Sequence, residues 1–225
     1  MKLSVLIPMF NEAGSIEAVV RRIAAVDLDL EIIVVDDAST DGSARMLEHL
    51  DLPSLKVLHH PANYGKGAAV RTALAAATGE AVVIQDADLE YFPEDFPALL
   101  APIQNGHASV VYGVRDLSSQ PAARRWGNQL LTLATNLLFG ARLSDMETCY
   151  KVMRTPVARS LDLSADRFEI EPEITVKLLR AGYHIHEVPI RYAPRHERKL
   201  NPWRDGPHAL WTLVKLRFRS TNPTE

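Results

Sequence analysis

The stretch Glu80-Ala81-Val82-Val83-Ile84-Gln85-Asp86-Ala87-Asp88-Leu89-Glu90 governs how the rest of the chain is read. Four apolar residues bounded by polar and charged neighbours suit a buried strand of a parallel sheet. Ligands of open α/β sheets collect at the carboxyl ends of such strands, where Asp86 and Asp88 fall. Hard carboxylate oxygens two residues apart favour Mg²⁺ or Mn²⁺ bridging a diphosphate, so the position reads as a metal and nucleotide-sugar site.

Outward from this strand, Leu3 to Ile7, Glu31 to Val35, Lys56 to Leu58 and Ser109 to Tyr112 also read as strands. They alternate with helical patterns at about 15–26, 41–50, 66–78, 93–104 and 124–139. That alternation predicts an α/β fold with a mostly parallel central sheet and helices on both faces. The punctuation agrees: Ser39-Thr40-Asp41 reads as the N-cap of the second helix, Gly79 as the C-terminal cap of the third, and Pro93 as the opening of the fourth. After about residue 145 the rhythm breaks. There Glu171 to Arg180 reads as a helix closed by Gly182, His184 to Tyr192 as one or two short strands, 193–206 as a charged loop and 220–225 as a frayed tail.

A chain of 225 residues can bury one substantial core, and nothing forces a second domain, so 1–225 is read as a single catalytic domain. The net charge of −3 and pI near 6.2 give no pull toward nucleic acid. Cys149 is the single cysteine; it reads as a small core residue and fits a reducing cytosol. The first apolar run ends at Pro8, too short for a signal peptide and better read as a strand. No run approaches the roughly 18 apolar residues of a spanning helix. The expected location is cytoplasmic, with peripheral contact to the cytoplasmic face of the membrane as a further expectation.

Two more strands feed carboxylates to the same sheet edge, through Pro8-Met9-Phe10-Asn11-Glu12 and Val34-Val35-Asp36-Asp37-Ala38-Ser39. Asp36, Asp37 and Glu12 are placed to accept hydrogen bonds from a base or ribose, although one of Asp36, Asp37 and Asp41 could instead cap the next helix. Asn63-Tyr64-Gly65-Lys66-Gly67 sets Lys66 at a helix N-terminus, a natural place for phosphate. Taken alone, this Gly-Lys-Gly lacks the spacing of a P-loop and reads as a structural turn.

Taken in order, these motifs resemble the inverting glycosyltransferase family 2, most of all the polyprenyl-phosphate sugar synthases of the dolichol-phosphate mannosyltransferase type. The resemblance continues through Tyr112-Gly113-Val114-Arg115, Arg124-Arg125-Trp126-Gly127-Asn128, Ser144-Asp145-Met146-Glu147-Thr148-Cys149-Tyr150-Lys151, Phe168-Glu169-Ile170-Glu171-Pro172-Glu173 and Trp203-Arg204-Asp205-Gly206. It thus covers nearly the whole chain. It implies a GT-A fold in which the Asp-x-Asp element, Asp86-Ala87-Asp88, holds Mg²⁺ or Mn²⁺ against the donor diphosphate. Glu90 stands where several relatives carry Gln, as a candidate third metal ligand. Pro8, Phe10, Glu12, Val35 and Asp37 would line the nucleoside pocket. By the same likeness 1–114 is the nucleotide-sugar-binding half, 115–205 the acceptor half, and 207–219 an amphipathic interfacial helix.

The activity implied is metal-dependent transfer of a hexose, from a donor of the GDP-mannose or UDP-glucose type, to a polyprenyl or dolichyl phosphate. A lipid phosphate is ionised near neutral pH, so cations that aim two anions matter more than a strong base. Arg115, Arg124, Arg125, Arg195, Arg198, Lys199 and Arg204 are candidates, with Arg115, Arg124 and Arg204 ranked first. Asp145 either serves as base for a hydroxyl acceptor or orients an arginine for a phosphate one. Glu171 could reach the sugar or an acceptor arginine. The alternatives are a family 2 transferase acting on a hydroxyl, or a non-catalytic nucleotide-sugar binding module recruited to a membrane partner protein.

Two stretches bear on membranes. Trp126 to Leu143 places Leu130, Leu131, Leu133, Leu137, Leu138 and Phe139 on a helix with few charges, readable as core, lipid groove or interfacial surface, with core favoured. Leu210, Trp211, Val214 and Phe218 with Lys215, Arg217 and Arg219 make a basic amphipathic pattern suited to an interface.

Overall fold

The computed structural model describes residues 1–118, 120–194, 211, 213 and 215–217. Seven strands, β1 (Leu3–Met9), β2 (Leu30–Asp36), β3 (Leu55–His59), β4 (Ala81–Ile84), β5 (Val110–Arg115), β6 (Lys151–Arg154) and β7 (His186–Ile190), form one sheet in the order β3-β2-β1-β4-β6-β5-β7. Between them run α1 (Ile16–Ala24), α2 (Ser43–Glu48), α3 (Lys66–Ala76), α4 (Phe96–Gln104), α5 (Ala122–Phe139), α6 (Thr155–Ser160) and α7 (Ile170–Arg180). A 3-10 turn at Pro93–Asp95 leads into α4.

Only β6 runs against its neighbours, pairing antiparallel with both β4 and β5. The sequence reading misses it because Lys151-Val152-Met153-Arg154 is four residues that begin and end on cations. Apart from the helix read at 207–219, most of which lies outside the described residues, the other expected strands and helices are present, and the mostly parallel sheet is the one the alternation predicts. Parallel strands covered on both faces need apolar side chains on both, which is why Leu3, Val5, Leu6 and Ile7 are all buried to within 1%.

Side-chain partners separate the two faces. Ser4 Oγ accepts from Gly79 N, just beyond α3, and Tyr112 bonds Thr175 of α7, on one face. On the other, Arg154 reaches the Ile103 carbonyl of α4 at 2.9 Å, the Phe96 ring lies 5.3 Å from that of Tyr150, and Arg22 of α1 pairs with Glu94 at 2.8 Å. Phe96 is fully enclosed, and truncating such a residue to Ala costs about 3–5 kcal/mol.

Two local expectations need correction. Helix α2 starts one residue later than the Ser39-Thr40-Asp41 reading, with Gly42 at the N-cap position at φ +91°. Asp41 still satisfies the helix start, its Oδ1 accepting from Ser43 N at 3.0 Å. Gly79 is not the terminator of α3, whose C-cap is Ala77 in extended conformation. Glycine is needed at 79 for closeness: a Cβ there would lie 2.6 Å from Ser4 Oγ and 2.8 Å from the Lys2 carbonyl. Gly182, at φ +78°, does follow α7 as expected.

Parallel register sets the functional edge. Met9 pairs with Asp36 and Asp36 with His59, while Ile84 pairs with Leu6, so the segments after β1, β2, β3 and β4 emerge side by side.

Candidate active site

The loops after β1 and β2 are tied together before any ligand arrives. Asn11 takes a left-handed conformation at φ +52°, a region Asn tolerates better than most residues. Its Oδ1 accepts from Thr40 N at 2.7 Å, and its own N–H donates to Ser39 Oγ at 2.9 Å. Glu12 N donates to Ser43 Oγ at 2.9 Å. Ser15 Oγ lies 2.9 Å from both Glu12 Oε2 and the Ala87 carbonyl, joining this pair of loops to the Asp-x-Asp segment. Phe10 is exposed at the rim, whereas Val35 is fully buried in β2, so the Val35 side chain offers no surface to a nucleoside.

Asp37 is buried and its oxygens organise the segment that leads into α3. Oδ1 accepts from Tyr64 N at 2.9 Å and lies 2.7 Å from His60 Nδ1, while Oδ2 accepts from Gly65 N at 2.7 Å. Oδ1 thus has two partners and Oδ2 one, which leaves Oδ2 room for one further donor. Gly65, at φ +100°, packs against the main chain of Asp166, where a Cβ would meet the carbonyl at 2.5 Å.

Past β4, Asp86 faces Lys66 at the start of α3. Lys66 Nζ lies 2.7 Å from Asp86 Oδ1 and 2.9 Å from Glu171 Oε1, and Glu171 in turn pairs with Lys151. Lys151 has no solvent exposure; its ammonium also donates to the Thr148 carbonyl and sits 5.1 Å from the centre of the Tyr112 ring. The chain Asp86–Lys66–Glu171–Lys151 alternates in sign, as buried charges must. Burial opposes the Lys66 charge, but Asp86 and Glu171 outweigh it and hold its pKa well above the ordinary lysine value. Glu171 is likewise resisted by burial and held ionised by Lys151 and Lys66, its pKa lowered.

Asp88 Oδ1 accepts from Glu90 N at 3.1 Å. Glu90 is buried, and its Oε2 accepts from Tyr192 Oη at 2.8 Å, while its carbonyl accepts from Ala193 N at 2.8 Å. Its carboxylate thus anchors the segment after β7. Among the described residues no group of three or more His, Cys, Asp or Glu side chains comes together as a metal shell. Asp86 and Asp88 supply two hard oxygen donors, and the Asp86 side chain keeps 27% exposure. That set fits a cation that completes its shell with water and substrate phosphate, the usual manner of Mg²⁺.

At the end of β5, Arg115 and Asp145 form a bidentate pair: Nε to Oδ2 at 2.7 Å and Nη2 to Oδ1 at 2.8 Å, with side chains 4% and 2% exposed. The Arg115 main-chain N–H adds a third donor at 3.2 Å, and its guanidinium lies 5.2 Å from the Tyr192 ring centre. A carboxylate so engaged holds the Arg115 guanidinium in one orientation. Arg124 is half-buried near the start of α5. Arg195, Arg198, Lys199 and Arg204 lie outside the described residues, as does much of the expected helix at 207–219. Within that helix Leu213 and Leu216 are buried and Trp211, Lys215 and Arg217 exposed.

The sequence reading quotes Lys151 and Glu147 within a motif without giving either a role, and it passes over Tyr91 and His60. Burial pushes the Glu147 carboxyl up to about 7, Lys151 pulling it back only in part. Tyr91 Oη accepts from Cys149 N at 3.0 Å, and its pKa is raised well above normal by burial. Cys149 is buried as expected. No local signal marks Lys151 as part of the ion chain, because its partner Glu171 lies twenty residues further on.

This sheet order, with one antiparallel strand beside β4 and carboxylates at its carboxyl edge, defines a GT-A type fold. The Glycosyl transferase family 2 model matches residues 4–164, and the chain belongs to that family. It is 31% identical over 212 residues to an undecaprenyl-phosphate 4-deoxy-4-formamido-L-arabinose transferase of Pseudomonas fluorescens strain Pf0-1, covering 90% of this chain and 61% of that protein. A second, from strain Pf-5, is 32% identical with the same coverage. The chain therefore spans about three fifths of the length of these curated relatives. The crystal structure of glucosyl-3-phosphoglycerate synthase from Mycobacterium tuberculosis with Mn²⁺, UDP and glucosyl-3-phosphoglycerate superposes with a TM-score of 0.78. It is 23% identical and covers 98% of this chain and 81% of that one, a likeness of fold.

Proposed function

We propose that this domain transfers a sugar from a nucleotide diphosphate donor to a polyprenyl phosphate, with inversion at the anomeric carbon. The observation that carries the reading is Asp86 and Asp88 at the end of β4, with Lys66 at the N-terminus of α3 beside Asp86. The relatives named for undecaprenyl-phosphate transfer support the acceptor class. Their sugar is an arabinose derivative, a pentose, so they lend no support to a hexose and the sugar is left to a donor screen.

Asp86 and Asp88 would hold Mg²⁺ or Mn²⁺, which when bound neutralises charge on the departing nucleoside diphosphate. Lys66 adds a protein cation at the same place, and the α3 N-terminus favours phosphate beside it. An acceptor phosphate oxygen attacks the anomeric carbon as the bond to the diphosphate oxygen breaks; the nucleoside diphosphate leaves with the bonding pair. Arg115, aimed by Asp145, together with Arg124 and Arg204, gathers the acceptor anion. No proton need be removed from an ionised phosphate, which agrees with an Asp145 committed to Arg115.

A thermal-shift panel of nucleotide sugars with Mn²⁺ identifies the donor, which stabilises the fold by mass action. Transfer to lipid phosphates then follows with Asp88→Asn in parallel. The variant is expected to keep its fold and lose transfer; full activity would sink the site assignment.

A further inference from the structure

Tyr192 touches both Glu90, two residues past Asp88, and Arg115 at the end of β5. The topology brings it there. Strands β5 and β7 pair in parallel with Arg115 opposite Ile190, so the segment after β7 leaves the sheet beside Arg115. That segment is laid along the loop that follows Asp-x-Asp. Arg191 donates from Nε and Nη2 to Asp95 Oδ1 at 2.9 and 2.7 Å, Tyr192 forms an antiparallel bridge with Tyr91, and Ala193 N donates to the Glu90 carbonyl at 2.8 Å.

The side chain of Tyr192 is held from two directions. Its hydroxyl donates to Glu90 Oε2 at 2.8 Å, a charge-assisted bond and therefore stronger than a neutral one. Its ring is the outer member of a stack: Phe96, Tyr150, Tyr91 and Tyr192 follow one another with centroids 5.3, 4.8 and 5.3 Å apart. The inner rings are pinned, Tyr150 Oη donating to Gln85 Oε1 at 2.7 Å and Tyr91 Oη accepting from Cys149 N at 3.0 Å. The stack ends on a cation, because the Arg115 guanidinium lies 5.2 Å from the Tyr192 ring centre.

Arg115 has a use for such a wall. Asp145 grips one edge of the guanidinium, through Nε and Nη2, and leaves its faces to other contacts. A ring against one face resists tilting out of that grip. The edge formed by Nη1 and the second Nη2 hydrogen is then a fork of the kind that takes a phosphate oxyanion in two hydrogen bonds.

We propose that Tyr192 is a positioning residue for Arg115: its ring steadies the guanidinium that Asp145 holds, and its hydroxyl ties that arrangement to Glu90 beside the Asp-x-Asp pair. The arginine fork is thereby set at a fixed place relative to the donor edge of the sheet. For the anion that the fork receives, the inference rests on the proposed phosphate acceptor.

The test is calorimetric titration of the full chain with geranyl phosphate, a short, water-soluble prenyl phosphate, in Mg²⁺ buffer. Tyr192→Phe keeps the ring and loses the tie to Glu90, and is expected to bind about threefold more weakly; Tyr192→Leu loses both, and about tenfold is expected. Circular dichroism and the thermal shift given by GDP or UDP with Mn²⁺ are expected to be unchanged in both variants. In an Arg115→Lys background, where there is no fork left to steady, Tyr192→Leu should add less than about twofold. A full tenfold loss in that background, or equal losses for geranyl phosphate and for the nucleotide, would overturn the proposal, since the tyrosine would then act on something other than Arg115. Tyr192→Phe binding as wild type does would overturn the tie to Glu90. The acceptor reading is judged separately by Arg115→Lys. Binding weakened by Arg115→Lys but untouched by Tyr192→Leu overturns the positioning role and leaves the acceptor, whereas binding indifferent to Arg115→Lys takes the phosphate away from Arg115 and the proposal with it.

Discussion

Glu171→Gln tests whether the ion chain Asp86–Lys66–Glu171–Lys151 is one coupled unit. Among the described residues Glu171 is the only carboxylate paired with Lys151, whose side chain has no solvent exposure, and it shares Lys66 with Asp86. The amide keeps the shape and removes the charge. Removing one partner of a buried pair costs about 3–5 kcal/mol, because the other charge is left uncompensated. Lys151 retains the Thr148 carbonyl and the Tyr112 ring, and a desolvated cation–ring contact contributes up to ~2 kcal/mol. We therefore expect the lower end, about 3 kcal/mol, out of a total of roughly 5–15 kcal/mol for a domain. Adding Lys151→Met deletes the stranded ammonium and is expected to restore about 2 kcal/mol of the loss. Urea unfolding followed by far-ultraviolet circular dichroism measures Glu171→Gln, Lys151→Met and the double variant. A single-variant cost below about 1 kcal/mol, or a double variant whose cost is the sum of the singles, would refute the coupling.

Asp145→Asn releases the hold on Arg115; kcat/KM for the lipid phosphate is expected to fall about tenfold or more while the donor-induced thermal shift is unchanged, and equal losses on both sides count against an orienting role. Glu31 meets burial that opposes its charge and hydrogen bonds from Ser4, Thr78 and Gly79 that overcome it, lowering its pKa from 4.5 to about 2. A lowered carboxylate adds stability above pH 4.5 that disappears as pH falls toward 2, so Glu31→Gln should cost about 1–2 kcal/mol at neutral pH, allowing for solvent screening. A cost that does not shrink with acid refutes it. Glu147 has the opposite sign: burial raises its pKa to about 7, so the folded state holds a proton that the unfolded chain gives up above 4.5. Stability should decline between those values, and Glu147→Gln should gain on wild type above pH 7 but not below 4.5, as urea titrations at each pH would reveal.

How much of this was legible in the sequence depended on whether a residue's neighbours were local. Strands β1, β2 and β4 announce themselves because both faces are covered, so Leu3 to Ile7 and Ala81 to Ile84 are apolar without alternation. Their order along the chain then brings Asp86, Asp37 and Glu12 to one edge, with no further information required. Strand β6 was hidden for the converse reason: Lys151 looks like a surface residue until Glu171, twenty residues on, is folded against it. Long-range partners also decide what the carboxylates can do. Asp37, Glu90 and Asp145 all lie where the motifs put them, yet the side chains are held by Gly65, Tyr192 and Arg115. Spacing locates a charge but does not say whether its lone pairs are available, because that depends on residues up to a hundred positions away. The same argument applies to α5 in reverse. Its leucines repeat as a core helix would, and only the packing of Thr132 and Thr135 inward shows that Leu130, Leu133 and Leu137 point the other way. An amphipathic helix read from sequence has two candidate inner faces whenever small polar residues line one of them, since threonine satisfies its hydroxyl within the helix, as Thr135 does on the Leu131 carbonyl at 2.9 Å. Here Thr132 and Thr135 share the buried face with Leu131, which is why Leu130, Leu133 and Leu137 face outward.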